Sequence, residues 1–239
     1  MPREELQRMQ LSLLQRQVRT MYDASAVFRG RMDEAGLTPD DITGFEEFRK
    51  VPFMSKADLR DFYPDHLFVK PYEELVRVHV SSGTTGLATV VGYTKKDLED
   101  WSECLARGMV SFGMSDKDML QNFHGYGLFT GGLGVHYGAE RIGATVLPIG
   151  TGNTDRQIRM MLDLPVTAVA GTPSYMFHIA DVCESRGIDM RRDTKVRLAI
   201  AGGEPWSDSM RRKLQDRTGM RVHNCYGASE LYGPCFLEC

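Results

Sequence analysis

The sequence predicts an α/β fold, a mainly parallel sheet flanked by helices, and two observations carry that prediction. From residue 118 onward, short β-rich apolar runs alternate with longer segments of helical apolar spacing. Strands separated by helices imply right-handed crossovers between parallel neighbours. The segments after several strand ends are also rich in glycine, and in such sheets ligands bind beyond the carboxyl ends of the strands.

Taken in order, residues 4–23 place Leu6, Met9, Leu11, Leu13, Leu14 and Val18 at helical spacing. A polar, turn-rich stretch is expected from there to about Pro52. Ser55 with Asp58 supplies a capping pair for a short helix, and Thr94 with Asp97 does the same for a helix over 95–112. Residues 76–80 alternate like a strand, and 89–93 read as the strand that returns. Further strands are expected over 118–123, 144–148, 166–171, 196–201 and 221–226, with helices over 129–141, 155–163, 172–186 and 207–218. The last residues, 233–239, show no closing helix or strand. Residues 1–52 are therefore read as a helical and irregular segment, and 53–239 as the α/β domain.

Composition narrows the partners. The chain is 42% hydrophobic and 26% charged with a net charge of -3, ordinary for a globular protein with a sizeable core. Nothing in that balance suggests a nucleic-acid patch or an anionic membrane surface, and no apolar run approaches a membrane span. The first residues lack the apolar core of a signal peptide, so a cytoplasmic location is the default. Five unevenly spaced cysteines argue for reduced thiols rather than a disulfide framework. Cys225, Cys235 and Cys239 crowd the end of the chain without the close pairs that zinc favours; a metal site completed by further residues stays open.

Four segments carry chemistry. Between the strands over 76–80 and 89–93 lie Ser81, Ser82, Gly83, Thr84, Thr85 and Gly86. Glycines let the backbone approach a ligand closely, and hydroxyls with freed N–H groups make a cradle for phosphate oxygens. The segment is not the lysine-bearing P-loop, because Leu87 and Ala88 follow Gly86 and no helix starts until Thr94. The second segment, 122–134, interleaves His124, Tyr126 and Phe129 with glycines such as Gly131, which suits a pocket wall. The third runs from Ala201 through Gly202, Gly203, Glu204 and Pro205, where a strand end exposes backbone to a base. The fourth, Tyr226, Gly227, Ala228, Ser229 and Glu230, could stack on a base, touch phosphate and ligate Mg²⁺. Each of these, taken alone, also fits an ordinary turn.

Together, in this order and spacing, the segments resemble the adenylate-forming superfamily, and more closely the phenylacetate–CoA ligases, from about Pro52 to the end. The resemblance implies the N-terminal part of such a ligase, with ATP, Mg²⁺ and coenzyme A as cofactors and co-substrates and a small carboxylic acid as partner. A carboxylate would attack the α-phosphate of ATP to give an acyl-adenylate, and the thiol of coenzyme A would then displace AMP. By the same resemblance, residues 81–86 hold the β- and γ-phosphates, with Thr84, Thr85 and Glu230 as the catalytic set. Gly203, Glu204 and Pro205 line the adenine edge, Tyr226 stacks on the base, Gly227 and Ser229 approach the nucleotide, and Glu230 binds Mg²⁺. His124, Tyr126, Phe129, Gly131, Ala201, Gly202 and Ala228 shape the acyl pocket.

Departures from the family pattern matter. Leu87-Ala88 replaces the usual Lys-Pro after the phosphate segment, and His124 stands where a tyrosine or apolar residue is common. A polar wall there would favour a hydroxylated aryl acid or another carboxylate. The ribose-gripping aspartate, the hinge and the lysine-bearing domain of the family would lie past residue 239. Two alternatives follow: a nucleotide-binding fragment without full catalysis, or a related synthetase that adenylates another acid, such as a deazaflavin cofactor. The family also implies a homodimer.

Overall fold

In a computed structural model, residues 1–81 and 88–238 are described, apart from the side chain of Lys56. The described chain falls into two compact units. One comprises residues 1–77 and 88–92, the other 78–81 and 93–238.

The first unit opens with helix α1 (Arg3–Ala24) and then α2 (Ala26–Glu34). α2 occupies the stretch expected to be turn-rich, which corrects that reading. Its start is local chemistry: the Ser25 hydroxyl accepts the Phe28 N–H at 3.2 Å, and a side-chain cap satisfies a donor the helix leaves orphaned. The helix persists because Met32 is fully buried with Val18 and Ile42 in a small core. Short helices α3 (Phe45–Phe48) and α4 (Lys56–Asp61) follow. Ser55 and Asp58 form the capping box that the sequence predicts.

Strand β1 (Arg77–Val80) and β2 (Val90–Tyr93) flank the hydroxyl–glycine segment. Ser82, Gly83, Thr84, Thr85 and Gly86 lie outside the described residues; Ser81 is half-buried at the end of β1.

The second unit continues with α5 (Lys95–Ser111), β3 (Met119–Asn122), α6 (Thr130–Arg141), β4 (Thr145–Leu147), α7 (Thr154–Asp163), β5 (Ala168–Gly171), α8 (Pro173–Ser185) and α9 (Met190–Asp193). It closes with β6 (Leu198–Gly202), α10 (Asp208–Thr218), β7 (Arg221–Ala228) and β8 (Gly233–Leu237). Thr94 and Asp97 make the capping box of α5. Among the described residues the sheet order is β4-β3-β5-β6-β7-β8. The first five strands are parallel, while β8 runs antiparallel to β7.

β8 corrects the expectation that residues 233–239 lack a strand. The register through Cys225↔Leu237 and Tyr226↔Phe236 shows why: a tight turn after β7 brings the segment back, and Gly233 takes the left-handed φ of +93° that the turn requires.

Side-chain alternation divides the sheet. Ala199 and Ala201 face a core with Val169, Met176, Ile179 and Leu214, whereas Ile200 and Gly202 face the other way. α5 and α6 approach each other closely. A Cβ at Gly134 would meet Trp101 at 2.4 Å, and one at Gly138 would meet Leu105 at 2.4 Å. No helix among the described residues is long and apolar enough to cross a membrane.

Candidate active site

A cavity of about 300 Å³ opens beyond the carboxyl ends of β3, β6 and β7. It brings together His124, Phe129 and Gly131 from the second predicted segment, Gly202 and Gly203 from the third, and Gly227 from the fourth. Segments far apart in sequence meet there because parallel strands deliver their following loops to one edge.

The wall between β3 and α6 is fixed by one buried amide. Asn122 is fully buried. Its Nδ2 donates to the Tyr126 hydroxyl and to the Gly132 carbonyl, each at 2.9 Å, and its Oδ1 accepts the His124 N–H at 3.1 Å. Both ends of the segment are thus held by one side chain. Gly132 permits the closure, since a Cβ there would lie 2.2 Å from the Gly125 carbonyl oxygen. The Tyr126 hydroxyl continues to His136 Nδ1 at 3.1 Å, and His136 Nε2 lies 2.9 Å from Glu140. Tyr126 therefore braces the wall from behind and does not line the cavity.

α6 begins in the cavity wall. Phe129 is its N-cap and provides no side-chain cap, and Thr130, Gly131 and Gly132 border the cavity. The first-turn amides of a helix lack intrahelical acceptors and carry partial positive charge, which suits an anion. The remaining wall is mostly apolar, with Val135, Ile200 and Pro234. His124 is its titratable imidazole. Burial pushes the His124 pKa down to about 4, so the ring is neutral at pH 7.

The other predicted residues take different places. Ala201 is fully buried in the core on the opposite face of β6, so it does not line the cavity; Ile200 and Gly202 form the wall at that level. Glu204 spends its carboxylate on α8, where it accepts the Ser174 backbone N–H and, at 2.9 Å, the Ser174 hydroxyl. The side chain is thus tied to the start of α8. Pro205 is exposed in the loop after β6. Tyr226 is 62% exposed and its ring tilts against Phe236 at 6.0 Å. Ala228 ends β7, and Ser229 and Glu230 lie in the single 3-10 turn that follows, with Glu230 exposed.

Gly227 sits where β7 and β8 press together, a Cβ there lying 2.0 Å from the Gly233 carbonyl oxygen. The Cys225 thiol borders the cavity and burial pushes its pKa up to about 12. Cys235 donates to the Leu231 carbonyl at 3.1 Å. Among the described residues no group of three His, Cys, Asp or Glu is placed to hold a metal, and Cys239 lies outside them.

Sequence reasoning missed Ile200, Val135 and Pro234 as lining residues. Period-two alternation from Gly202 would have found Ile200, and the helical step from Gly131 would have found Val135. It also missed Asn122, where the i→i+2 bond to the His124 N–H is an Asx-turn that the residue type could have signalled.

The comparisons agree with this geometry. The family model for AMP-binding enzymes matches residues 16–239. The chain is 45% identical over 237 residues to a phenylacetate-coenzyme A ligase of Pseudomonas putida, covering 99% of this chain and 54% of that protein. It is 43% identical over 234 residues to the corresponding ligase of Thermus thermophilus, covering 98% of this chain and 52% of that protein. The chain thus spans about half the length of the curated relatives it matches. A solved 2-hydroxyisobutyryl-CoA ligase, in complex with 2-HIB-AMP and CoA, superposes with a TM-score of 0.91 at 27% identity, over 97% of this chain and 51% of that one. With a cavity at the strand ends, and with the family model covering nearly its whole length, the chain belongs to the AMP-binding enzyme family.

Proposed function

We propose that the chain is the N-terminal, substrate-binding part of an ATP-dependent acid–CoA ligase acting on phenylacetate or a related aryl carboxylate. The observation that carries the reading is the cavity: a mostly apolar wall with the uncapped start of α6 on one side. An apolar group fits the wall, while a carboxylate fits the helix amides. The aryl assignment draws on the relatives, which are phenylacetate-coenzyme A ligases. The neutral His124 ring adds one hydrogen-bonding point, suited to a ring substituent.

In the first step a carboxylate oxygen attacks the α-phosphorus of ATP, and the bond to pyrophosphate breaks. In the second, the coenzyme A thiolate attacks the acyl carbonyl, and the carbon–oxygen bond to AMP breaks. The chain's own contribution is positioning and charge placement. Ser81, Ser82, Gly83, Thr84, Thr85 and Gly86 are proposed to hold the β- and γ-phosphates. The backbone of Gly203, Glu204 and Pro205 would border the adenine, Tyr226 would stack on it, and Ser229 would reach the α-phosphate.

The exposed carboxylate of Glu230 fits Mg²⁺, which takes one or two carboxylates and fills its other positions from phosphates and water. Bound there, the ion would neutralise phosphate charge. The α/β domain is proposed to begin near residue 53, and a homodimer is proposed as the assembly.

ATP–pyrophosphate exchange over a panel of acids tests the reading. Phenylacetate or a hydroxylated phenylacetate should stimulate exchange, and silence with every aryl acid while ATP still binds would reject the aryl assignment. For the phosphate grip, the double substitution Thr84→Ala, Thr85→Ala should weaken ATP binding by about a hundredfold or more, on the scale of two lost charge-assisted hydrogen bonds. Unchanged affinity in a well-folded variant would refute it.

A further inference from the structure

Thr130 is the first residue of α6 and borders the cavity, yet only 8% of its surface is exposed. Its hydroxyl has no hydrogen-bond partner among the described residues and is not sealed in. The branched side chain has few rotamers in a helix. Packing restricts it further, since a Cβ at Gly233 would lie 2.5 Å from both Cβ and Oγ1 of Thr130. A buried hydroxyl without a partner is costly, and a ligand that supplies an acceptor removes the cost.

The backbone beside it is equally open. Helices α5, α7, α8 and α10 each start with a side chain that accepts a first-turn N–H: Thr94, Asn153, Thr172 and Ser207. α6 has no such cap. Gly131 widens the opening. Its φ lies outside the left-handed region, and a Cβ there would meet nothing closer than His124 Nδ1 at 3.7 Å. Neither backbone nor packing therefore demands a glycine, and its missing side chain leaves the start of α6 uncovered in the cavity wall.

Among the described residues, those lining the cavity include no lysine, arginine, aspartate or glutamate. The His124 ring is neutral at pH 7. An acid bound here brings a negative charge into a space without a cation, so neutral donors must hold it.

We infer that the Thr130 hydroxyl is a carboxylate-binding group: with the uncapped N–H groups at the start of α6, it grips the carboxylate of the acid. This inference rests on the proposed reading that the cavity takes an aryl carboxylate, and it names the side chain that orients the reacting group. Held at one oxygen, the carboxylate keeps the lone pairs of the other for attack on phosphorus.

The test is calorimetric titration of the chain with phenylacetate and with para-hydroxyphenylacetate, the tighter-binding acid being carried to two variants. Thr130→Val keeps the branched shape that packs on Gly233 and removes the hydroxyl. Its affinity should fall by about tenfold or more, on the scale of one charge-assisted hydrogen bond. Thr130→Ser keeps the hydroxyl and loses the methyl, and should bind within about fourfold of wild type, the scale of one methyl group. If melting curves show that valine is not tolerated, Thr130→Ala serves as the variant without the hydroxyl.

Two outcomes overturn the inference. Either the variant without the hydroxyl binds as wild type does, or Thr130→Ser loses as much as that variant, which would make the role one of shape. Wild type that binds neither acid would instead refute the proposed function, and this inference with it.

Discussion

Asn122→Leu is the sharpest perturbation of the cavity wall, because leucine keeps the volume and removes every hydrogen bond. Three bonds disappear: those to the Tyr126 hydroxyl, to the Gly132 carbonyl and from the His124 N–H. At about 1 kcal/mol net for each, the direct loss is about 3 kcal/mol. The Asn122 side chain is fully buried, so the His124 N–H and the Gly132 carbonyl lose their partner in a desolvated place. That raises the cost towards about 5 kcal/mol.

For a protein of this size each kcal/mol lowers Tm by roughly 2–4 °C, so a fall of about 6–20 °C is expected. Urea unfolding followed by the fluorescence of Trp101 and Trp206 measures the loss of stability, and titration with phenylacetate measures the wall. The variant should bind the acid at least tenfold more weakly, because the segment bearing His124, Phe129 and Gly131 loses the tie at both ends. A loss below about 1 kcal/mol with unchanged acid binding would show that Asn122 does not hold the wall, and would refute the reasoning.

Two further predictions follow from groups near the cavity. His124 has a folded pKa of about 4 against an ordinary 6.5, so the unfolded chain takes up its proton first as the pH falls. Stability should therefore decline between pH 6.5 and pH 4, and His124→Gln should flatten that decline in urea midpoints measured across the range; an identical slope in the variant would remove His124 as its source. Glu204→Ala deletes the carboxylate that holds the Ser174 N–H and hydroxyl at the start of α8. It should cost about 1 kcal/mol in thermal melts, as other N-terminal caps do, while ATP affinity stays within about twofold. A tenfold loss of ATP affinity would instead give that side chain a direct role at the nucleotide.

Much of the fold was legible because its signals are local. The Thr94 and Asp97 capping box, the helical spacing of α1 and the alternation of short apolar runs with helices depend on neighbours a few residues apart. α2 was not legible, since its apolar positions are few and its burial depends on partners in α1 and near Ile42. β8 was missed for a related reason. Gly233-Pro234-Cys235-Phe236-Leu237 has no alternating pattern, and its strand conformation comes from pairing with β7.

By itself the sequence determined the α/β alternation, the order of four ligand-facing segments and their resemblance to adenylate-forming ligases. It could do so because glycines, hydroxyls and caps act through their own backbone. The tertiary structure alone decided which of those residues share a space. Strand alternation sent Ala201 into the core and Gly202 to the cavity, and the start of α8 claimed the Glu204 carboxylate. The Glu204 carboxylate found its partner in Ser174, 30 residues earlier in the chain. Facing, burial and long-range hydrogen bonds depend on which segments pack together, and that pairing is a property of the folded chain.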